Sequence, residues 1–176
     1  RPLKMTMELK YLLGGLIGFG LAVPAGIIQA DMAMNRVLHN TQWIIGAHVH
    51  IAIIVGLYMT LYSAVYVLWP LVTNNAKLWS TKLANAHFWL HLIGGIGMGA
   101  FMGMAGLDGM LRRHLYFNGE YNLFMILAAI CGTMLLVAWL LFLFNVIMSV
   151  GLKGLIGIFL PSKNKEASYG IEPANA

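Results

Sequence analysis

Four long apolar runs constrain this chain more than any other feature: residues 11–29, 44–69, 88–107 and 123–150. A helix needs about 20 apolar residues to cross a hydrocarbon core. Inside a bilayer, a helix satisfies its own backbone hydrogen bonds without water. The runs therefore predict an all-α integral membrane protein with four transmembrane helices. Charged residues make up 10% of the 176 positions, against about 25% in soluble domains, which excludes an ordinary soluble domain. Residues 1–160 are expected to form a single membrane domain that ends in a short apolar interfacial segment after residue 150. Residues 161–176 read as a flexible tail on the cytoplasmic side. The chain opens on Arg1 without an initiator Met and has no signal-type cleavage site after its first run, so it is expected to be trimmed or part of a longer chain.

The net charge of +5 reflects topology. Arg1, Lys4, Lys10, Lys77, Lys82, Lys153, Lys163 and Lys165 fall on one side of the membrane, and Arg36, Arg112 and Arg113 on the other. By the positive-inside rule both termini are cytoplasmic, and nothing in this distribution calls for nucleic acid. The single Cys131 allows no internal disulfide and reads as a small packing residue.

His48 and His50 lie a few residues inside the second run, roughly 10 Å below the outer surface at about 1.5 Å per residue. Histidine is rare in membrane spans and usually faces the protein interior or water. At about 100° per residue, positions two apart in an α-helix point to nearly opposite sides. The pair therefore cannot easily share one metal, but each member can ligate a different centre on either flank of its helix. Neutral imidazole is a standard axial ligand of haem iron, so two haems, one on each side of this helix, fit the spacing. The bland alternative is a helix-to-helix hydrogen bond at each position.

Arg112 and Arg113 end the third run on the same outer side. Guanidinium groups pair with carboxylates such as haem propionates, whereas the alternative partner is lipid phosphate. His39, in the facing segment, could join that cluster or bind a divalent ion with Asp31 or Asn40. His87 and His91 share one helix face, a spacing that could hold zinc, but without a further ligand nearby they read as packing or capping groups. Gly94, Gly95, Gly97, Gly99, Gly103 and Gly106 read as a close helix-packing surface. Met98 and Met102 are core fillers.

These residues resemble the last four helices of the large catalytic subunit of haem-copper oxygen reductases. The matching stretches run from Val37 to Trp43, through Ala47-His48-Val49-His50, and then from Leu107 to Arg113. The resemblance implies part of a twelve-helix subunit I bundle that reduces oxygen to water, with proton pumping possible. Carried over by position, it implies that His48 ligates a high-spin haem and His50 a low-spin haem. Arg112 and Arg113 would hold propionates, with His39 above the high-spin haem. Copper ligands, and the second ligand of the low-spin haem, would come from a partner chain supplying the earlier helices. The other expected partners are further oxidase subunits, membrane lipid and an electron donor such as cytochrome c, a copper protein or quinol. The expected location is a prokaryotic cell membrane, with the mitochondrial inner membrane as the alternative.

The chain also departs from that family. It has one residue more between His39 and His48 than is usual, Asn40 in place of an acidic residue, and Leu111 where proline is usual. Three alternatives stand beside the oxidase reading: the C-terminal part of a nitric oxide reductase, a dihaem electron-transfer cytochrome and a haem-free structural subunit.

Overall fold

A computed structural model describes residues 4–73 and 77–159. The expected tail beyond residue 160 lies outside the described residues. Among the described residues, four helices are long and apolar enough to cross a membrane: Met7–Ala30, Ile44–Leu71, Thr81–Leu107 and Asn122–Leu152.

Helix α1, Met7–Ala30, starts at Thr6, whose hydroxyl accepts from the Leu9 amide and so satisfies one of the free N–H groups of the first turn. It stops at Asp31, which is also the cap of the next helix. The Asp31 carboxylate accepts from the Ala33 and Met34 amides at 3.0 Å and nucleates α2, Met32–Leu38. The stretch between the first two spans, expected as a loop, therefore contains a short helix.

The second span departs from the expected α-helix. Ile44–Leu57 is π-helical, and α3 continues it over Tyr58–Val72. A π turn closes i→i+5 bonds and takes up an extra residue within a helix. Such a turn is one way for a helix to take up the extra residue expected between His39 and His48. Pro70, expected to end this span, lies inside the helix, which runs on to Val72. Helix α4, Thr81–Leu107, is capped by Ser80 and starts several residues before the apolar run. Helix α5 spans Asn122–Phe159, with Gly151 at φ 72° and ψ 156° breaking it. That break separates the span from the segment expected at the interface.

The π-helical segment is the spine of the bundle, with α1 and α4 packed against it and α5 packed along α4. Tyr11, Ile51, Val55, Met59, Tyr66, Phe88 and Leu92 form the buried core. Small residues allow the close approach. A Cβ on Gly46 would lie 2.5 Å from the Gly103 amide nitrogen, and one on Gly97 would lie 2.6 Å from the Cys131 Sγ. Cys131 is thus a buried packing residue between α4 and α5, and the glycines of α4 serve helix packing.

Candidate functional site

Each imidazole of the central pair is tied to a backbone carbonyl. His48 Nδ1 lies 2.9 Å from the Ala22 carbonyl of α1, and His50 Nδ1 lies 2.6 Å from the Ile45 carbonyl of its own helix. A carbonyl can only accept, so in both rings Nδ1–H donates and Nε2 keeps its lone pair. This is the arrangement found behind metal-ligating histidines, where the carbonyl fixes the tautomer and ring orientation and raises the basicity of the other nitrogen. Both rings are half-buried. Gly26 makes room for one of them, because a Cβ there would lie 2.6 Å from His48 Cε1 and 2.9 Å from its Nδ1. In the π-helical segment, as in an α-helix, positions two apart stay on nearly opposite flanks.

The end of the bundle that carries the arginine loop is stapled by backbone bonds. The Gln42 amide donates to the Met110 carbonyl at 2.9 Å, and the Arg112 amide to the Asn40 carbonyl at 2.8 Å. Thr41 and Leu111 form an antiparallel bridge between these bonds. The start of the His-bearing helix and the arginine loop are therefore one unit. Arg113 has φ 64°, a left-handed conformation uncommon for a residue with a side chain. A cavity of about 390 Å³ here is lined by Asn40, Leu111, Arg112, Arg113 and His114. Arg112 Nη2 donates to Asn40 Oδ1 at 3.5 Å. The residues present suit a carboxylate-bearing group. Gln29, Gln42 and Trp43, at the same end, also carry buried side-chain polar atoms with no protein partner.

Other expected residues are placed differently. His39 is exposed at the C-cap of α2, next to Asn40 in the chain. Asp31 caps the opposite end of that helix, about 12 Å away at about 1.5 Å per residue, and its carboxylate is committed there. Among the described residues, no three His, Cys, Asp or Glu side chains group as a metal site. His87 and His91 are buried among aromatic rings. Sequence reasoning misses three of the residues around them, Tyr11, Tyr62 and Tyr66. Their legible signal is the four-residue spacing of Tyr62 and Tyr66, which matches that of His87 and His91.

The fold and site define a multi-span α-helical membrane protein whose central helix presents two imidazoles beside an arginine-bearing loop. The chain belongs to the family described as cytochrome c and quinol oxidase polypeptide I, whose pattern matches residues 2–134. It is 27% identical to the cytochrome c oxidase polypeptide 1 of Halobacterium salinarum over 147 residues, which is 84% of this chain and 24% of that protein. It is 31% identical to the cytochrome c oxidase subunit 1 of Thermus thermophilus over 145 residues, covering 77% of this chain and 25% of that protein. It is also 32% identical to a cbb3-type cytochrome c oxidase subunit, CcoN1, of Stutzerimonas stutzeri over 112 residues, 63% of this chain and 23% of that one. The chain spans about a quarter of the length of these curated relatives.

Proposed function

We propose that this chain is the C-terminal part of the catalytic subunit of a respiratory terminal oxidase that reduces oxygen to water. Two haems and a copper ion are the cofactors. One observation carries the reading: His48 and His50 are each held by a carbonyl at Nδ1, with Nε2 left as the donor. In this reading His48 would ligate the high-spin haem and His50 the low-spin haem. Arg112 and Arg113 hold propionates in the cavity they line, and His39 flanks them. A divalent ion beside His39 would draw on ligands other than Asp31.

When bound, haem iron and copper supply the electron-transfer and oxygen-binding chemistry. The chain's own work is positioning. The Ala22 carbonyl and the space at Gly26 aim the His48 ring, and the Ile45 carbonyl aims that of His50. The copper ligands and the remaining haem ligand come from a partner chain carrying the earlier helices. Other oxidase subunits and an electron donor complete the complex in a prokaryotic membrane, with both termini of this chain cytoplasmic.

The test is a carbon monoxide difference spectrum of the reduced complex purified through this chain, comparing wild type with His48→Ala. The expected result is a carbon monoxide-reactive haem that disappears in the variant, with oxygen rather than nitric oxide as the substrate turned over. A complex with no such haem overturns the reading.

A further inference from the structure

Helices α1 and α4 both pack on the π-helical segment but meet each other only slightly, which leaves a cleft between them. Toward the arginine-loop end the cleft widens into a cavity of about 370 Å³, walled by Leu21, Pro24 and Ile28 of α1 and by Ile96, Ala100 and Leu107 of α4. Its floor is the spine at Trp43, Ala47 and Ile51. Among the described residues, the Trp43 indole is the one lining side chain with a hydrogen-bonding group, and neither His48 nor His50 lines the cavity. Ile51 is buried, whereas Ile53 is 42% exposed and, two positions on, lies on the opposite flank of the spine. The cleft and the open flank of the spine are therefore separate surfaces.

The cleft continues to the other end of the bundle. On α1, Lys10, Leu13, Ile17, Leu21, Pro24 and Ile28 recur every three or four residues and so share one face. On α4, Lys82, Asn85, Trp89, Ile93, Ile96 and Ala100 recur with the same spacing. The later members of both lines wall the cavity. The first members are joined by Lys10, whose ammonium bonds the Asn85 side chain and lies 4.6 Å and 4.9 Å from the Phe88 and Trp89 ring centroids. Between these ends Leu13, Ile17, Trp89 and Ile93 are exposed.

We propose that this cleft binds one anionic phospholipid, its phosphate held by Lys10 and Lys82 and an acyl chain running past Ile17 and Ile93 into the cavity at Leu21. Each line begins with a cation and continues in hydrocarbon, the order of charge and chain in such a lipid. An ammonium has three donors, and Lys10 uses one on Asn85, which leaves donors for a phosphate oxygen. Lys82 is exposed one turn before Asn85. Glu8, the nearest acid in the chain, is two positions from Lys10 and so lies on another flank of α1. Basic side chains at a membrane surface attract anionic lipid, and tryptophan favours the head-group level. The rise from Lys10 to Leu21 is about 16 Å at about 1.5 Å per residue, close to half of the roughly 30 Å hydrocarbon core. A chain attached at Lys10 therefore reaches the mouth of the cavity within one leaflet. The site depends on the membrane placement of the spans and not on the oxidase reading.

The test uses the complex purified through this chain, stripped of lipid in detergent and titrated with dioleoyl phosphatidylglycerol or dioleoyl phosphatidylcholine, with bound lipid counted by native mass spectrometry. Phosphatidylglycerol is expected to bind in preference, and Lys10→Gln and Lys82→Gln should each weaken that binding by about fivefold. Leu21→Trp, at the mouth of the cavity, should weaken binding of the dioleoyl lipid and spare the shorter dilauroyl one. Equal binding of phosphatidylcholine, or lysine variants that bind as the wild type does, overturns the proposal. Displacement of the lipid by glycerol 3-phosphate would show a site for a free phosphate ester and overturns the acyl groove. A photo-crosslinking amino acid at Ile17, introduced in the otherwise unaltered complex, should capture lipid. Capture of another subunit in its place would show that protein covers the cleft, which also overturns the proposal.

Discussion

His48 and Gly26 form a matched pair, because the ring occupies the space that a side chain on α1 would fill. A Gly26→Ala substitution puts a carbon 2.6 Å from His48 Cε1, so the ring must leave the Ala22 carbonyl or α1 must move away. The expected outcome is loss of most of the carbon monoxide-reactive haem with the low-spin haem retained, since His50 is held by its own helix. Reduced-minus-oxidised and carbon monoxide difference spectra of the same preparation check this. Arg113 shows a different constraint. Its left-handed backbone costs about 1–2 kcal/mol relative to an ordinary conformation. The stapled loop holds it there, which places two adjacent guanidinium groups at one cavity.

At the scale of elements, helix ends are held by side chains that reach across the bundle. Asn145, 1% exposed, accepts from the Ser80 amide and donates to the Ser80 carbonyl, both at 2.9 Å. It therefore fixes the start of α4 against α5. Removing it leaves two backbone groups unpaired, so Asn145→Ala is expected to destabilise the bundle by about 1–3 kcal/mol. A lowered unfolding temperature in detergent checks this, and unchanged stability would show that water replaces the amide. The four spans are legible in sequence because length and hydropathy alone set them, and the role of Cys131 is legible from its apolar surroundings. The starts of α1 and α4 are not, because polar residues such as Lys10, Lys82 and Asn85 extend these helices beyond their apolar runs. Helix α2 depends on the Asp31 cap, which is legible only when that carboxylate is read as a capping group. The π-helical segment leaves only the one-residue excess before His48 as a trace, since its residues also suit an α-helix. The Tyr11–His87 contact joins residues far apart in the chain, and only packing reveals it.

For the whole molecule, the distribution of exposed apolar surface matters most. Helix α1 exposes Leu16, Val23 and Ile27 at 57%, 51% and 66%, and α5 is largely exposed beyond its contact with α4. Some of that surface meets lipid, but a chain spanning about a quarter of its relatives' length also presents faces that the remaining helices would cover. His48 and His50 are likewise half-buried, each anchored at Nδ1 by a carbonyl. If the copper ligands and the opposing haem ligand lie on those remaining helices, this chain alone can orient two imidazoles but cannot complete either centre. The expected outcome is therefore that membranes containing the chain alone show no carbon monoxide-reactive haem, while co-expression with the segment carrying the earlier helices restores it. Copper and haem content of the two purified preparations, read beside their carbon monoxide spectra, checks this. A full set of haem and copper on the isolated chain would show that the division of ligands between two chains is wrong.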